Sequence, residues 1–243
     1  MDLPQSGGRR VAFFGGSFDP PHLGHLAVAR TARAALGLDS VLFAPVGAQP
    51  LKPHGSTADF ADRLAMTCLA IGDEPGLAVS LADAPKPSGA PNFTLETLQH
   101  LRTELPPDSA LFCLMGADSF FSLRNWHRAA EIPFAAPLIV ASRPGERLED
   151  LGEALPEGLT LDSTLSADQT RSGLAIRSCL LRNPAGEAAP FYLLPGLNVD
   201  ISASQVRDWI REQVSPASGP PSASNKLLPK AVFEYIRSHH LYR

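Results

Sequence analysis

The constraint that most narrows what this chain can fold into lies in residues 11 to 25, where Val11-Ala12-Phe13-Phe14 runs directly into Gly15-Gly16-Ser17-Phe18-Asp19-Pro20-Pro21-His22-Leu23-Gly24-His25. Four consecutive apolar residues suit a strand buried on both faces. Leu23, Leu26, Ala27, Ala34 and Leu38 then recur at helical spacing, so the run predicts a strand-to-helix turn. Asp19 before Pro20 reads as an N-cap followed by a proline in the first turn, where a missing N–H costs nothing. Gly15 and Gly16 remove side chains that would keep an anion from the backbone, and the unpaired N–H groups of a helix start face the gap. That geometry suits a polyphosphate, with Ser17 and Phe18 continuing the same turn. His22 and His25 share one face of the first helical turn, Gly24 between them permits close approach, and an imidazole donates to phosphoryl oxygens. A lone histidine near a helix start is ordinarily a surface residue or a cap, and a Gly-Gly pair a turn; their union after a buried strand favours the phosphate site.

Beyond the turn, strand-like segments at 11–14, 41–45, 77–81, 110–115, 137–141 and 191–194 alternate with helix-like ones at 27–36, 60–71 and 95–105. Such alternation predicts an α/β fold: a Rossmann-like, doubly wound parallel sheet with helices on both faces and a small C-terminal helical part. One domain spanning 1–243 is expected, with a flexible segment at 1–9, an extended segment at 143–190, a Pro/Ser-rich loop at 214–226 and a final helix within 228–243. Proline, 23 of 243 residues, is near twice its background share and falls mostly in the connections. Within the final helix, Val232, Tyr235, Ile236 and His239 follow a packing stripe.

A net charge of -4 argues against a nucleic-acid surface, which needs a basic footprint, so any phosphate attraction is local. Residues 1–10 carry no apolar core and no apolar stretch reaches membrane-spanning length, which predicts a cytoplasmic location without membrane insertion. Cys68, Cys113 and Cys179 are odd in number and widely spaced. Cys68 and Cys113, in apolar runs, are expected to be buried thiols; no disulfide and no structural metal is predicted.

The run from Gly15 to His25 resembles the G-G-S/T-F-D-P-x-H-x-G-H signature of the nucleotidyltransferase superfamily with a Rossmann-like fold. The chain as a whole resembles the bacterial nicotinate-nucleotide adenylyltransferases, though the 143–190 segment is longer than that resemblance accounts for. Ile201-Ser202-Ala203-Ser204-Gln205-Val206-Arg207 resembles a family motif whose hydroxyls, helix start and arginine hold the ATP phosphates. It departs at Ala203, where the family carries a hydroxyl. Ser202, Ser204 and Arg207 remain, and Ser202 with Gln205 equally fits a plain capping box. Lys52, in the loop after the second strand, falls on a family lysine that contacts phosphate, while Leu51 replaces the neighbouring histidine.

Asn92-Phe93-Thr94-Leu95-Glu96-Thr97-Leu98 resembles the family's S-Y-T-x-D-T-L, and Gly116-Ala117-Asp118-Ser119 with Trp126 resembles its G-x-D-x(7)-W. The resemblance implies that Thr94 and the backbone beside Phe93 receive the nicotinate carboxylate, that Trp126 stacks on the pyridine ring, and that Gly116 and Asp118 contact ATP. Asp118 could equally cap the next short helix, and Trp126 could be ordinary core. The implied reaction joins ATP and nicotinate mononucleotide by direct in-line attack, with Mg²⁺ carried by ATP and His22 and His25 facing the α- and β-phosphates. Alternatives are a relative acting on nicotinamide mononucleotide or pantetheine phosphate, or a non-catalytic nucleotide-binding regulator; a homo-oligomer stays open.

Overall fold

The computed structural model describes residues 8–51, 55–142, 148–171, 173–195, 197, 201–214 and 227–243. Lys52, residues 1–7 and the Pro/Ser-rich stretch 215–226 lie outside them. Strands β1 (Arg10–Gly16), β2 (Ser40–Pro45), β3 (Leu77–Val79), β4 (Ala110–Gly116), β5 (Leu138–Ala141), β6 (Thr160–Arg171), β7 (Leu174–Arg182) and β8 (Ala188–Leu194) form one sheet in the order β3-β2-β1-β4-β5-β8-β7-β6. Six of these run parallel; β7 is antiparallel to both β8 and β6. The helices are α1 (Leu23–Leu36), α2 (Phe60–Ile71), α3 (Thr94–Glu104), α4 (Ala117–Ser122), α5 (Ile132–Ala135), α6 (Leu148–Glu153), α7 (Ala203–Val214) and α8 (Lys230–Ser238).

Alternate residues of the central strands feed two cores. Phe13, Leu111, Cys113, Met115, Leu138 and Val140 pack on one face with Leu95, Leu98 and Leu101 of α3. Ala12, Phe14, Phe112, Leu114 and Ile139 pack on the other with Leu26, Ala29, Ala32 and Leu36 of α1. Strands buried on both faces are near-continuous apolar runs, which is why β1 and β4 were legible. A third cluster joins α2, α7 and α8 through Met66, Val206, Ile210, Val232 and Ile236. Burying a side chain such as Val232 or Ile236 contributes about 1.5–3 kcal/mol, so α8 is held by packing.

Several expectations need correction. The sheet is not wholly parallel: the segment expected to be merely extended forms α6 and a β6–β7 hairpin on the sheet edge. The β6 sequence, Thr-Leu-Asp-Ser-Thr-Leu-Ser-Ala-Asp-Gln-Thr-Arg, is polar, as befits an edge strand, and lacks the apolar run of a buried one. Asp19 does not cap α1; His22 does, with extended backbone at φ -138° and ψ 171°, and the Asp19–Pro20 peptide is cis. Cys68 is exposed while Cys113 and Cys179 are buried, all three as free thiols. Arg63, Met66, Thr67, Ala70 and Ile71 mark the buried face of α2, and Cys68 falls on the opposite side of the helix. His239 is exposed against the half-buried Tyr235 ring, so the packing stripe of α8 is Val232 and Ile236 with Tyr235 partly buried beside them. Within the segment expected to be flexible, Arg9 accepts the N–H of Ala110 at 2.8 Å, which ties it to the start of β4.

The chain runs from β1 outward through β2 and β3, then crosses to β4 on the other side of β1. Open α/β sheets bind ligands at such a reversal, outside the carboxyl ends of the strands. Gly16 and Gly116, the last residues of β1 and β4, mark that position.

Candidate active site

A cleft of about 490 Å³ opens at the carboxyl ends of β1 and β4. Its floor is the turn between β1 and α1. Phe18 holds φ 46° there, a conformation uncommon for a bulky residue. It is stabilised by burial: the Phe18 ring sits 5.6 Å from Phe14 and 4.9 Å from the His25 ring. Gly15 serves packing before it serves any ligand, because a Cβ there would meet the Phe13 ring at 2.6 Å. Gly116 is different; a Cβ built on it meets nothing within 4 Å, so its backbone is open to a ligand.

The two histidines form one unit. The His22 N–H donates to His25 Nδ1 at 3.1 Å, and the rings stack with centroids 3.7 Å apart. Burial lowers the His22 pKa to about 4. Burial, and then the neighbouring His22 charge, push His25 well below its ordinary value. Both are therefore neutral at pH 7. An imidazole that accepts at Nδ1 carries its proton at Nε2, which makes His25 a neutral N–H donor lining the cleft. His22 Nδ1 is buried without a partner among the described residues, the kind of atom a ligand satisfies.

Two arginines and one carboxylate hold the turn. Arg63, only 2% exposed, donates to the carbonyls of Ser17 at 2.7 Å, Val46 at 2.8 Å and Ala58 at 3.3 Å. The Asp19 carboxylate accepts the N–H groups of Thr57 and Ala58 at 2.6 and 3.0 Å. Arg207 donates to the Asp19 carbonyl at 2.7 Å and to Ser204 Oγ at 3.1 Å. At the start of α7 the Ser202 hydroxyl accepts the Gln205 N–H while Gln205 Oε1 accepts the Ser202 N–H. The capping box is thus real, and Ser202 also lines the cleft.

The far end of the cleft is built by α3 and by the segment after β4. Thr94 is the first residue of α3, where backbone N–H groups lack helical partners and favour an anion. Asn92 fixes that start: its N–H donates to the Ala48 carbonyl, its Oδ1 accepts the Ala48 N–H and its Nδ2 donates to the Ala84 carbonyl, all at 2.9 Å. Trp126 is half-buried and its indole N–H donates to Ser122 Oγ at 3.1 Å, which sets the plane of the ring. His127 packs on Phe93 with centroids 4.4 Å apart. Asp83 is buried, which raises its pKa, and accepts the Thr97 hydroxyl at 2.7 Å.

Of the residues singled out from sequence, Gly15, Gly16, Ser17, Phe18, His22, His25, Phe93, Thr94, Gly116, Asp118, Trp126, Ser202 and Arg207 all line this cleft. Ser204 stands behind Arg207, and Lys52 lies outside the described residues. Asp118 is the second residue of α4, whose cap is Gly116, so the capping alternative for Asp118 falls. Sequence reasoning missed Asp83 and His127, and gave Arg63 and Asn92 no task. An arginine inside an otherwise apolar helix face, as in Met66-flanked α2, was the available signal for Arg63.

The model of the cytidylyltransferase-like family matches residues 13–208. A relative from Stenotrophomonas maltophilia (strain K279a) is 39% identical over 240 residues, covering 95% of this chain and 96% of its own. One from Dechloromonas aromatica (strain RCB) is 36% identical over 235 residues, covering 96% and 97%. Both are described as "Probable nicotinate-nucleotide adenylyltransferase". The chain belongs to the nicotinate-nucleotide adenylyltransferase family. In fold, the chain is similar to the Plasmodium falciparum nicotinic acid mononucleotide adenylyltransferase complexed with NaAD, with a TM-score of 0.65 at 15% identity over 96% of this chain and 97% of that one. The similarity is one of fold: a Rossmann-like sheet with flanking helices. Among the described residues no helix is long and apolar enough to cross a membrane.

Proposed function

We propose that this chain joins ATP to nicotinate mononucleotide, giving nicotinate adenine dinucleotide and pyrophosphate, a step in NAD biosynthesis. The observation that carries the reading is the shared cleft: the histidine turn with Arg207 at one end and the Thr94 helix start with Trp126 at the other open into one space. Two nucleotides bound there meet head to head. A phosphate oxygen of the mononucleotide attacks the α-phosphorus of ATP, the bond to the bridging oxygen of the β-phosphate breaks, and pyrophosphate leaves. The nucleophile is already an anion near neutral pH, so no general base is needed.

Catalysis then reduces to positioning and charge stabilisation. His25 donates its Nε2 proton in a hydrogen bond to the oxygens that gain charge at the α- and β-phosphates, with His22 beside it. Arg207, braced by the Ser204 hydroxyl, receives the outgoing pyrophosphate with Ser202 and Lys52, and the turn at Gly15, Gly16, Ser17 and Phe18 bounds the triphosphate. Gly116 and Asp118 meet the adenosine half. The N–H groups at Phe93–Thr94 take the nicotinate carboxylate, and Trp126 stacks on the pyridine ring. Mg²⁺ enters as part of the Mg–ATP substrate, coordinated by phosphate oxygens and water; among the described residues no cluster of three or more His, Cys, Asp or Glu is arranged to hold an ion.

Incubating the pure protein with Mg–ATP and either nicotinate or nicotinamide mononucleotide, and weighing the product by mass spectrometry, tests the proposal. Nicotinate adenine dinucleotide is expected as the preferred product. A product formed only from nicotinamide mononucleotide, or no dinucleotide from either, contradicts it.

A further inference from the structure

We propose that Tyr242 is a positioning residue for nucleotide binding, acting through the Asp19 carboxylate on the turn that carries the histidines. The inference rests on the ATP site described under Proposed function. Tyr242 lies beyond α8, buried to 5% exposure, and its hydroxyl donates to Asp19 Oδ1 at 2.8 Å across 223 residues of sequence. Its backbone sits at φ 61°, a left-handed conformation that a bulky side chain adopts only when its surroundings impose it. The ring completes the cluster of α2, α7 and α8, so the segment after α8 is held against the loop that precedes α2.

Asp19 is the junction. Its carboxylate, 4% exposed, takes two backbone N–H groups at residues 57–58 and the Tyr242 hydroxyl. Its carbonyl takes Arg207 at 2.7 Å. The residue between Phe18 and His22 that fixes Arg207 is therefore itself fixed from the far end of the sequence. Removing the Tyr242 hydroxyl leaves a buried carboxylate oxygen short of a donor, and the part of the turn free to adjust is the peptide that anchors Arg207. Burial and the adjacent Asp19 charge keep the phenol protonated, so it donates throughout the working pH range. A merely structural tyrosine would alter stability alone; one that aims Arg207 alters ATP binding in preference to binding of the mononucleotide.

Tyr242→Phe keeps the ring and removes the bond, and Tyr235→Phe is the control, because Tyr235 donates to Asp62 at 2.8 Å and does not touch the turn. The affinity for Mg–ATP is measured by calorimetry, with kcat and both KM values measured in parallel. Tyr242→Phe is expected to weaken ATP binding and raise KM for ATP by about five- to tenfold, the scale of one ordinary hydrogen bond lost, with KM for the mononucleotide within about twofold and Tyr235→Phe unchanged. Should Tyr242→Phe fail to fold, Asp19→Asn, which keeps the shape and withdraws one acceptor, is expected to show the same selective loss. ATP affinity and KM equal to wild type in either variant overturn the proposal, as does an equal loss in Tyr235→Phe. Absence of turnover in the wild type would sink the proposed reaction but not this inference, which the calorimetric comparison decides.

Discussion

The backbone N–H of His22 donates to Nδ1 of His25 at 3.1 Å, and this bond determines which nitrogen of His25 faces a ligand as a donor. With Nδ1 occupied as an acceptor, the proton of the neutral ring resides on Nε2. The stacked His22 ring, 3.7 Å away between centroids, penalises a second positive charge. The pair thus supplies a donor without a net charge, pre-set by the helix start.

Removing that donor is expected to cost turnover more than binding. His25→Ala should lower kcat by ~10²–10³, the scale for one preorganised donor to developing charge, with ATP affinity changed much less. His25→Asn is expected to be as slow, since its amide reaches the Nδ1 position and not Nε2. Steady-state pyrophosphate release measures both; near wild-type rates in either would remove His25 from the role.

Stability should depend on the same pair. Unfolded chains bind protons at both imidazoles near the ordinary pKa of 6.5, whereas folded His22 resists protonation until about 4. Stability is therefore fully present above pH 6.5 and lost as the pH falls toward 4, with His22 alone contributing about 3 kcal/mol. Urea denaturation at pH 7.5 and pH 5 should show the loss, and His22→Ala should flatten it. A wild-type midpoint unchanged between those pH values would contradict the buried, neutral pair.

The Arg63 guanidinium donates to three carbonyls, those of Ser17, Val46 and Ala58. Arg63→Met is expected to destabilise the protein by about 3–5 kcal/mol, because it leaves buried acceptors at Ser17, Val46 and Ala58. Arg63→Lys should recover little, since a point-like ammonium cannot span the three acceptors of a fork. A shift in the denaturation midpoint worth less than about 1 kcal/mol would show that the turn holds itself.

Trp126 is expected to act on one substrate only. Trp126→Ala should raise KM for nicotinate mononucleotide by roughly tenfold or more, the range of a lost aromatic stacking contact plus its buried area, and leave KM for ATP nearly unchanged. Equal effects on both substrates would count against stacking.

The fold was largely legible where burial is two-sided or capping is explicit. Helix α2 is bounded by Asp59, whose carboxylate accepts the Asp62 N–H, and by Gly72 past its end, and its sequence-based range coincides with the observed one. Ser202 and Gln205 form the capping box that their spacing predicts. What stayed hidden was tertiary. Asp19 reads as a cap because it precedes proline, yet its carboxylate serves residues 57–58 and Tyr242, partners that no local pattern reveals. The β6–β7 hairpin escaped because an edge strand exposes one row of groups and needs no apolar run. His127 and Asp83 enter the cleft only through the folding of α3 against β4, so their proximity to Phe93 and Thr97 has no signature in spacing.

The central claim, that a neutral His25 presents Nε2–H to the triphosphate, is tested most directly by ¹⁵N NMR of histidine-labelled protein at pH 7 with and without an ATP analogue. The account predicts an unprotonated Nδ1 and a protonated Nε2 at His25, with no protonation in the pH range where an ordinary histidine titrates, and the Nε2 resonance shifting when the analogue and Mg²⁺ are added. An imidazolium signal at pH 7, or an Nε2 resonance indifferent to the analogue, would contradict it.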